Sequence, residues 1–133
     1  MVATRSLDES EYLMPTDDPL TTDPRHYRLL WENEHVRVLD YTDAPGDETH
    51  LHHHPNSVMV TLTDFERRLT VDDRSRDVAL PAGTAVWLAA QRHSGRNTGT
   101  TPTHTILIEL KDAPGEADQP GTLGPTGHRA GGL

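Results

Sequence analysis

Between about Tyr27 and Leu110 the chain is a succession of short β-like runs, each closed off by turn residues, and no stretch sustains the 3.6-residue period of a long amphipathic helix. The runs are His26 to Trp31, His35 to Tyr41, Ser57 to Thr63, Phe65 to Val71, Val78 to Leu80, Ala85 to Leu88, Gln91 to Ser94 and Thr103 to Leu110. Turns fall at Pro45-Gly46 and at Asp72-Asp73-Arg74-Ser75. Strands this short and this evenly spaced close into a small all-β barrel or jelly roll. A chain of 133 residues has room for one such core. The predicted organisation is an extended N-terminal arm over 1–24, a barrel over 25–112 and a disordered C-terminal tail over 113–133. The arm carries Pro15, Pro19 and Pro24, and either wanders or lies across the sheet edge of a neighbouring subunit. The tail is dominated by Gly, Pro, Thr and Ala.

Composition removes several classes of function. With no cysteine, disulfides, thiolate ligands and a cysteine nucleophile are excluded, so a metal site has to use His, Gln or carboxylate. A net charge of −9, with arginine far outnumbering lysine, argues against nonspecific binding to nucleic acid, which depends on basic patches. No apolar stretch reaches the length of a signal peptide or a membrane span, so the expectation is a soluble cytoplasmic protein without a membrane partner. Phosphate-loop, Gly-x-Ser-x-Gly and dinucleotide fingerprints are absent as well, which leaves chemistry to a metal.

The informative stretch runs from Pro45 to Pro55 and contains His50, His52, His53 and His54. In an extended chain His52 and His54 point to one face and His53 to the other, so two imidazoles converge. Imidazole nitrogen suits zinc, iron, nickel and copper. A third ligand has to come from elsewhere, and His93 is the leading candidate. Gln91 shares the face of His93 by the same alternation. In the run Thr103 to Leu110, period two groups His104 with Ile106 and Ile108 as the inward set and leaves Thr105 and Glu109 outside, making His104 a pocket histidine. Trp87 and Phe65 read as core. His50 is expected at the barrel mouth, and His26, His35 and His53 at the surface or in packing. Asp17-Asp18 and Asp72-Asp73 read as solvated turns, as do Asp47 and Glu48.

These residues resemble the cupin superfamily. Its first motif is a Gly, five residues, His-x-His, three or four residues and a Glu; here Gly46 stands six before His52, and Val58 and Met59 hold the positions of the acid. Its second motif ends in His, three residues and Asn, matched by His93 and Asn97, with Ala89-Ala90-Gln91 in place of the preceding Pro-x-Gly. The resemblance spans Tyr27 to Leu110. It implies a jelly-roll barrel, usually a homodimer, with one divalent transition metal ion held inside by His52, His54 and His93. Similarity to cupin polyketide cyclases, some of which use extra His and Gln ligands, implies Gln91 as a further metal ligand. It also implies His104 as a ligand or as a catalytic group that moves protons. Three neutral histidines leave the ion its full charge, which favours a small anionic or chelating substrate. The expected function is a metal-dependent enzyme: a dioxygenase with iron, nickel or copper, or a cyclase, isomerase or lyase with zinc. The alternative is a non-catalytic cupin that binds or senses a small molecule.

Overall fold

Alternation of apolar and polar side chains shapes this chain into strands with one face turned inward. The computed structural model describes residues 17–111 and 123–126. A single-turn helix, α1 (Pro19–Thr22), precedes nine strands: β1 (Tyr27–Glu32), β2 (Val36–Asp43), β3 (His52–His54), β4 (Ser57–Thr61), β5 (Phe65–Val71), β6 (Arg74–Leu80), β7 (Ala85–Leu88), β8 (Gln91–Asn97) and β9 (Thr103–Leu110). They form two antiparallel sheets, of order β1-β2-β9-β4-β7 and β3-β8-β5-β6. The inner faces of the two sheets enclose a core that includes Leu39, Met59, Phe65, Leu69, Leu88 and Leu107. This is the jelly-roll architecture the run pattern predicts.

Turn chemistry fixes the connections. Asp72 and Asp73 join β5 to β6 in a two-residue hairpin between the paired Val71 and Arg74, and Asp72 takes a left-handed φ of 54°, as tight hairpins require. Gly46, with φ of 88°, makes the turn before the histidine stretch.

The phase of β9 is opposite to the one expected. Thr103, Thr105, Leu107 and Glu109 are buried inside the barrel, whereas His104, Ile106 and Ile108 are half-buried on the outer face. The buried face carries two threonines, one leucine and an acid while the isoleucines lie on the other, so alternation alone points to the wrong face. The charged Glu109 goes inside because Arg37 and His54 meet it there. Trp87 likewise lies on the outer face and is 36% exposed, while its neighbours Val86 and Leu88 point into the core.

The two ends of the described chain pack onto the barrel. Asp18 caps α1 through the Leu20 amide at 2.9 Å and pairs with Arg37 at 2.9 Å, so it is buried rather than solvated. Asp23 is buried too, and accepts from the backbone and ring of His50. Residues 17–24 are thus seated on the barrel wall; the rest of the expected arm lies outside the described residues. At the other end, Leu123 enters the core, and Arg76 holds the carbonyls of Leu123 and Pro125 at 2.8 and 3.2 Å. Thr126 exchanges two backbone hydrogen bonds with Trp87 and so covers the free edge of β7. The remainder of the expected tail, His128 included, lies outside the described residues.

Candidate metal centre

The antiparallel register of β3 and β8 sets His52 opposite His93 and His54 opposite Gln91. Alternation turns His52, His54, Gln91 and His93 inward, and all four are buried. The three imidazoles meet edge to face, with ring centroids 4.8 to 5.3 Å apart. One ring nitrogen from each lies within 4.8 Å of the other two. Three atoms so placed share a centre no more than about 2.8 Å from each, against a metal–nitrogen bond of about 2.0–2.1 Å, so shifts of under about 1 Å would bring them to bonding distance.

Hydrogen bonding decides which nitrogens face that centre. His52 Nδ1 lies 2.7 Å from the His50 carbonyl, which can only accept. His54 Nδ1 lies 3.1 Å from a Glu109 carboxylate oxygen. His93 Nδ1 lies 2.7 Å from Gln91 Oε1. That amide is fixed in turn, because its oxygen accepts from the Gly124 N–H at 2.8 Å and its nitrogen donates to the Ala89 carbonyl at 2.9 Å. Each ring therefore donates its Nδ1 proton to a fixed acceptor and keeps a lone pair on Nε2. Burial and the neighbouring His54 push the His52 imidazole down to about 3, and burial with the neighbouring histidines lowers His93 strongly, so both stay neutral. Neutral imidazoles with free Nε2 lone pairs are the form that binds a metal, and this donor set fits a divalent transition ion.

Around the triad is a narrow cavity of about 30 Å³, room for roughly one water molecule. Met59, Phe65, Leu69, Leu88 and Leu107 form its apolar walls, and Pro125 closes one side. Arg67, Tyr27, Tyr41, Thr49 and Thr105 supply its other polar side chains. Arg67 is buried, donates to Asp43 at 2.6 Å and lies over the Tyr41 ring. Gly95 makes room for it, since a Cβ there would stand 2.7 Å from the guanidinium. Asp43 also accepts from Tyr41 and, at 3.0 Å, from Asn97, so the motif asparagine braces the barrel rather than facing the triad. Desolvation raises Glu109, but His54 and Arg37 outweigh it and hold the carboxyl below its ordinary range.

Of the residues singled out from the sequence, His52, His54 and His93 are thus brought together. Gln91 stands beside them, but both ends of its amide are engaged, and it orients His93 instead of facing the common centre. His104 is on the other side of its sheet, 2.6 Å from Asp40, with no route to the cavity, because β9 turns its other face inward. His50 is exposed and paired with Asp23. Sequence reasoning missed Glu109, Arg67 and Tyr27. Arg67 had a readable signal, since it falls in phase with Phe65, Leu69 and Val71 on β5. Tyr27 had none, being brought to the triad from 25 residues away by the pairing of sheets.

No family model matches the chain, and no curated protein matches it. Solved structures do. A cupin domain from Bordetella pertussis aligns at 26% identity with a TM-score of 0.60, over 64% of this chain and 91% of its own. An RmlC-like cupin with a double-stranded β-helix fold from Methanocaldococcus jannaschii aligns at 15% identity and a TM-score of 0.52, over 63% and 77% of the two chains. A double-stranded β-helix protein from Klebsiella pneumoniae gives 17% and 0.52, over 68% and 83%. Two antiparallel sheets closed around three convergent histidines, and a structural match over nearly all of a known cupin domain, place this chain in the cupin superfamily.

Proposed function

We propose that this protein is a metal-dependent cupin enzyme acting on a small anionic or chelating substrate. The observation that supports the reading is the convergence of three Nε2 lone pairs, their tautomers fixed by His50, Glu109 and Gln91, in an apolar cavity that also holds the buried cation Arg67. His52, His54 and His93 would hold the ion. When bound, the ion supplies Lewis acidity toward a substrate oxygen and, if it is iron, nickel or copper, oxygen activation. Arg67, its charge balanced by Asp43, would place a guanidinium beside an anionic substrate group, and the apolar walls exclude bulk water. The free space beside the triad is about 30 Å³, with Pro125 on one side of it, so little more than a water-sized group fits there without rearrangement. That narrowness favours a second reading, a closed module that binds its ion without turnover.

Elemental analysis of untagged protein, with His54→Ala beside it, tests the proposal. One equivalent of metal in the wild type and loss in the variant is the expected result. Iron, nickel or copper then directs the search to oxygen consumption, and zinc to cyclase or lyase chemistry. Equal metal content in both proteins would overturn the assignment.

We further propose that the protein is a homodimer. A row of apolar side chains, Trp31, Val38, Ile108, Val58 and Trp87, crosses the outer face of all five strands of the larger sheet. Trp31 is 57% exposed. Five strands about 4.8 Å apart span about 20 Å, and the flanking half-buried Ile106, Val60 and Val36 extend the patch along the strands. A second copy of the same face would cover it. Light scattering should give a dimer for the wild type and a monomer for Val58→Lys; a monomeric wild type removes the proposal.

A further inference from the structure

The hydroxyl of Tyr27 lies 3.3 Å from Nε2 of His52 and 3.4 Å from Nε2 of His54. As a hydrogen-bonding arrangement this is incomplete. Both nitrogens carry lone pairs, because both Nδ1 atoms hold their protons toward acceptors, and a phenol has one proton to give. Both distances are also long for O–H···N bonds, although the ring is buried and in contact with His52, His54 and Tyr41. Among the described residues the hydroxyl has no other hydrogen-bond partner.

The same distances are those of a coordination sphere. Four ligands at about 2.0–2.1 Å around a tetrahedral ion stand about 3.3–3.4 Å from one another. The Tyr27 oxygen therefore already stands from His52 Nε2 and from His54 Nε2 at the spacing of neighbouring corners of such a tetrahedron, while the three histidine nitrogens, within 4.8 Å of one another, would draw closer around an ion. Charge favours it as well. Three neutral imidazoles leave a divalent ion with two uncompensated charges in a largely apolar cavity, and no carboxylate among the described residues lines it. The nearest acids are committed elsewhere, Glu109 to His54 and Arg37, and Asp43 to Arg67 and Asn97. Of the two tyrosines that line the cavity, Tyr41 donates its hydroxyl to Asp43, so among the described residues Tyr27 is the group placed to supply an anionic oxygen as phenolate.

We propose that Tyr27 is the fourth metal ligand, making a three-histidine, one-tyrosine centre. The inference rests on the metal-binding reading above and deepens it: an ion so enclosed is open to substrate only where the metal expands its coordination or Tyr27 gives up its place.

The test is to load metal-free protein with iron(III) and record the visible spectrum together with metal content. A tyrosine ligand gives a broad phenolate-to-iron(III) charge-transfer band. We expect that band in the wild type and in Tyr41→Phe, and its loss in Tyr27→Phe while the three histidines still retain iron. The zinc affinity of Tyr27→Phe should fall by about tenfold or more, since changing even an outer partner of a ligand costs about 10–100-fold. Wild-type protein that holds iron without the band, or a band that survives in Tyr27→Phe, overturns the Tyr27 assignment and leaves the histidine site standing. A wild type that takes up neither metal overturns both.

Discussion

Replacing Glu109 with glutamine keeps the shape of the side chain and removes one acceptor from a place that needs two. One carboxylate oxygen receives Arg37 through Nε at 2.9 Å and through a terminal nitrogen at 2.8 Å, and the other receives His54 Nδ1 at 3.1 Å. A glutamine has one carbonyl oxygen and one amide nitrogen, so either Arg37 or His54 must face an N–H. Arg37 keeps its second partner, Asp18, at 2.9 Å, which limits the damage. The side chains of Glu109 and Arg37 are only 3% and 13% exposed, so water replaces little of what is lost. A buried donor left unsatisfied costs about 1–3 kcal/mol, and removing one partner of a buried ion pair about 3–5, which brackets the expected loss at about 2–4 kcal/mol. For a domain of this size that lowers the melting temperature by roughly 10–15 °C. The assay is urea unfolding of metal-free protein at pH 7. A parallel metal titration reads the second consequence. Where His54 faces the amide N–H, its proton moves to Nε2, the nitrogen meant for the metal, and affinity falls by about 10–100-fold. A variant within about 0.5 kcal/mol of wild type and with unchanged metal affinity would refute the account of Glu109 as the group that fixes His54.

Gly95→Ala drives a methyl group to 2.7 Å from the Arg67 guanidinium and 3.2 Å from Leu69, and should cost about 1–3 kcal/mol in denaturant unfolding; an equally stable variant shows that Arg67 is not held in place by Gly95. Metal-free protein should lose stability steadily as pH falls from about 6.5 toward about 3, because the unfolded chain protonates its histidines in that window while buried His52 does not. His93 adds a slope of the same sign. Glu109 and Asp23, whose folded carboxyls are lowered, add theirs below the ordinary carboxylate range. A urea midpoint that is flat between pH 7 and 5 contradicts this. Leu123→Asp, which places a charge in the core, should dislodge the segment 123–126 and its bond to Gln91 and speed extraction of bound metal by a chelator; an unchanged rate means the segment does not close the site.

The amino-acid sequence determines what is local. Period-two alternation puts His52 and His54 on one face and His53 on the other, Gly46 and Asp72 bend the chain where turns demand it, and the short runs specify strands rather than helices. It also leaves no cysteine to compete for a metal, so the site has to be built from histidine and oxygen. Tertiary structure decides what depends on partners distant in sequence. Which face of β9 turns inward is settled by Arg37 and His54, which make the interior hospitable to Glu109, and not by the isoleucines, which the outer sheet face accepts equally well. The same event carries His104 away from the cavity to Asp40. The partner that fixes His54, the Gly124 amide that holds Gln91 in place as a brace and the arrival of Tyr27 at the triad all come from residues far away in the chain, whereas His52 and His93 take their Nδ1 partners from two residues away. Periodicity reports which residues share a face; only the closed barrel decides what that face meets.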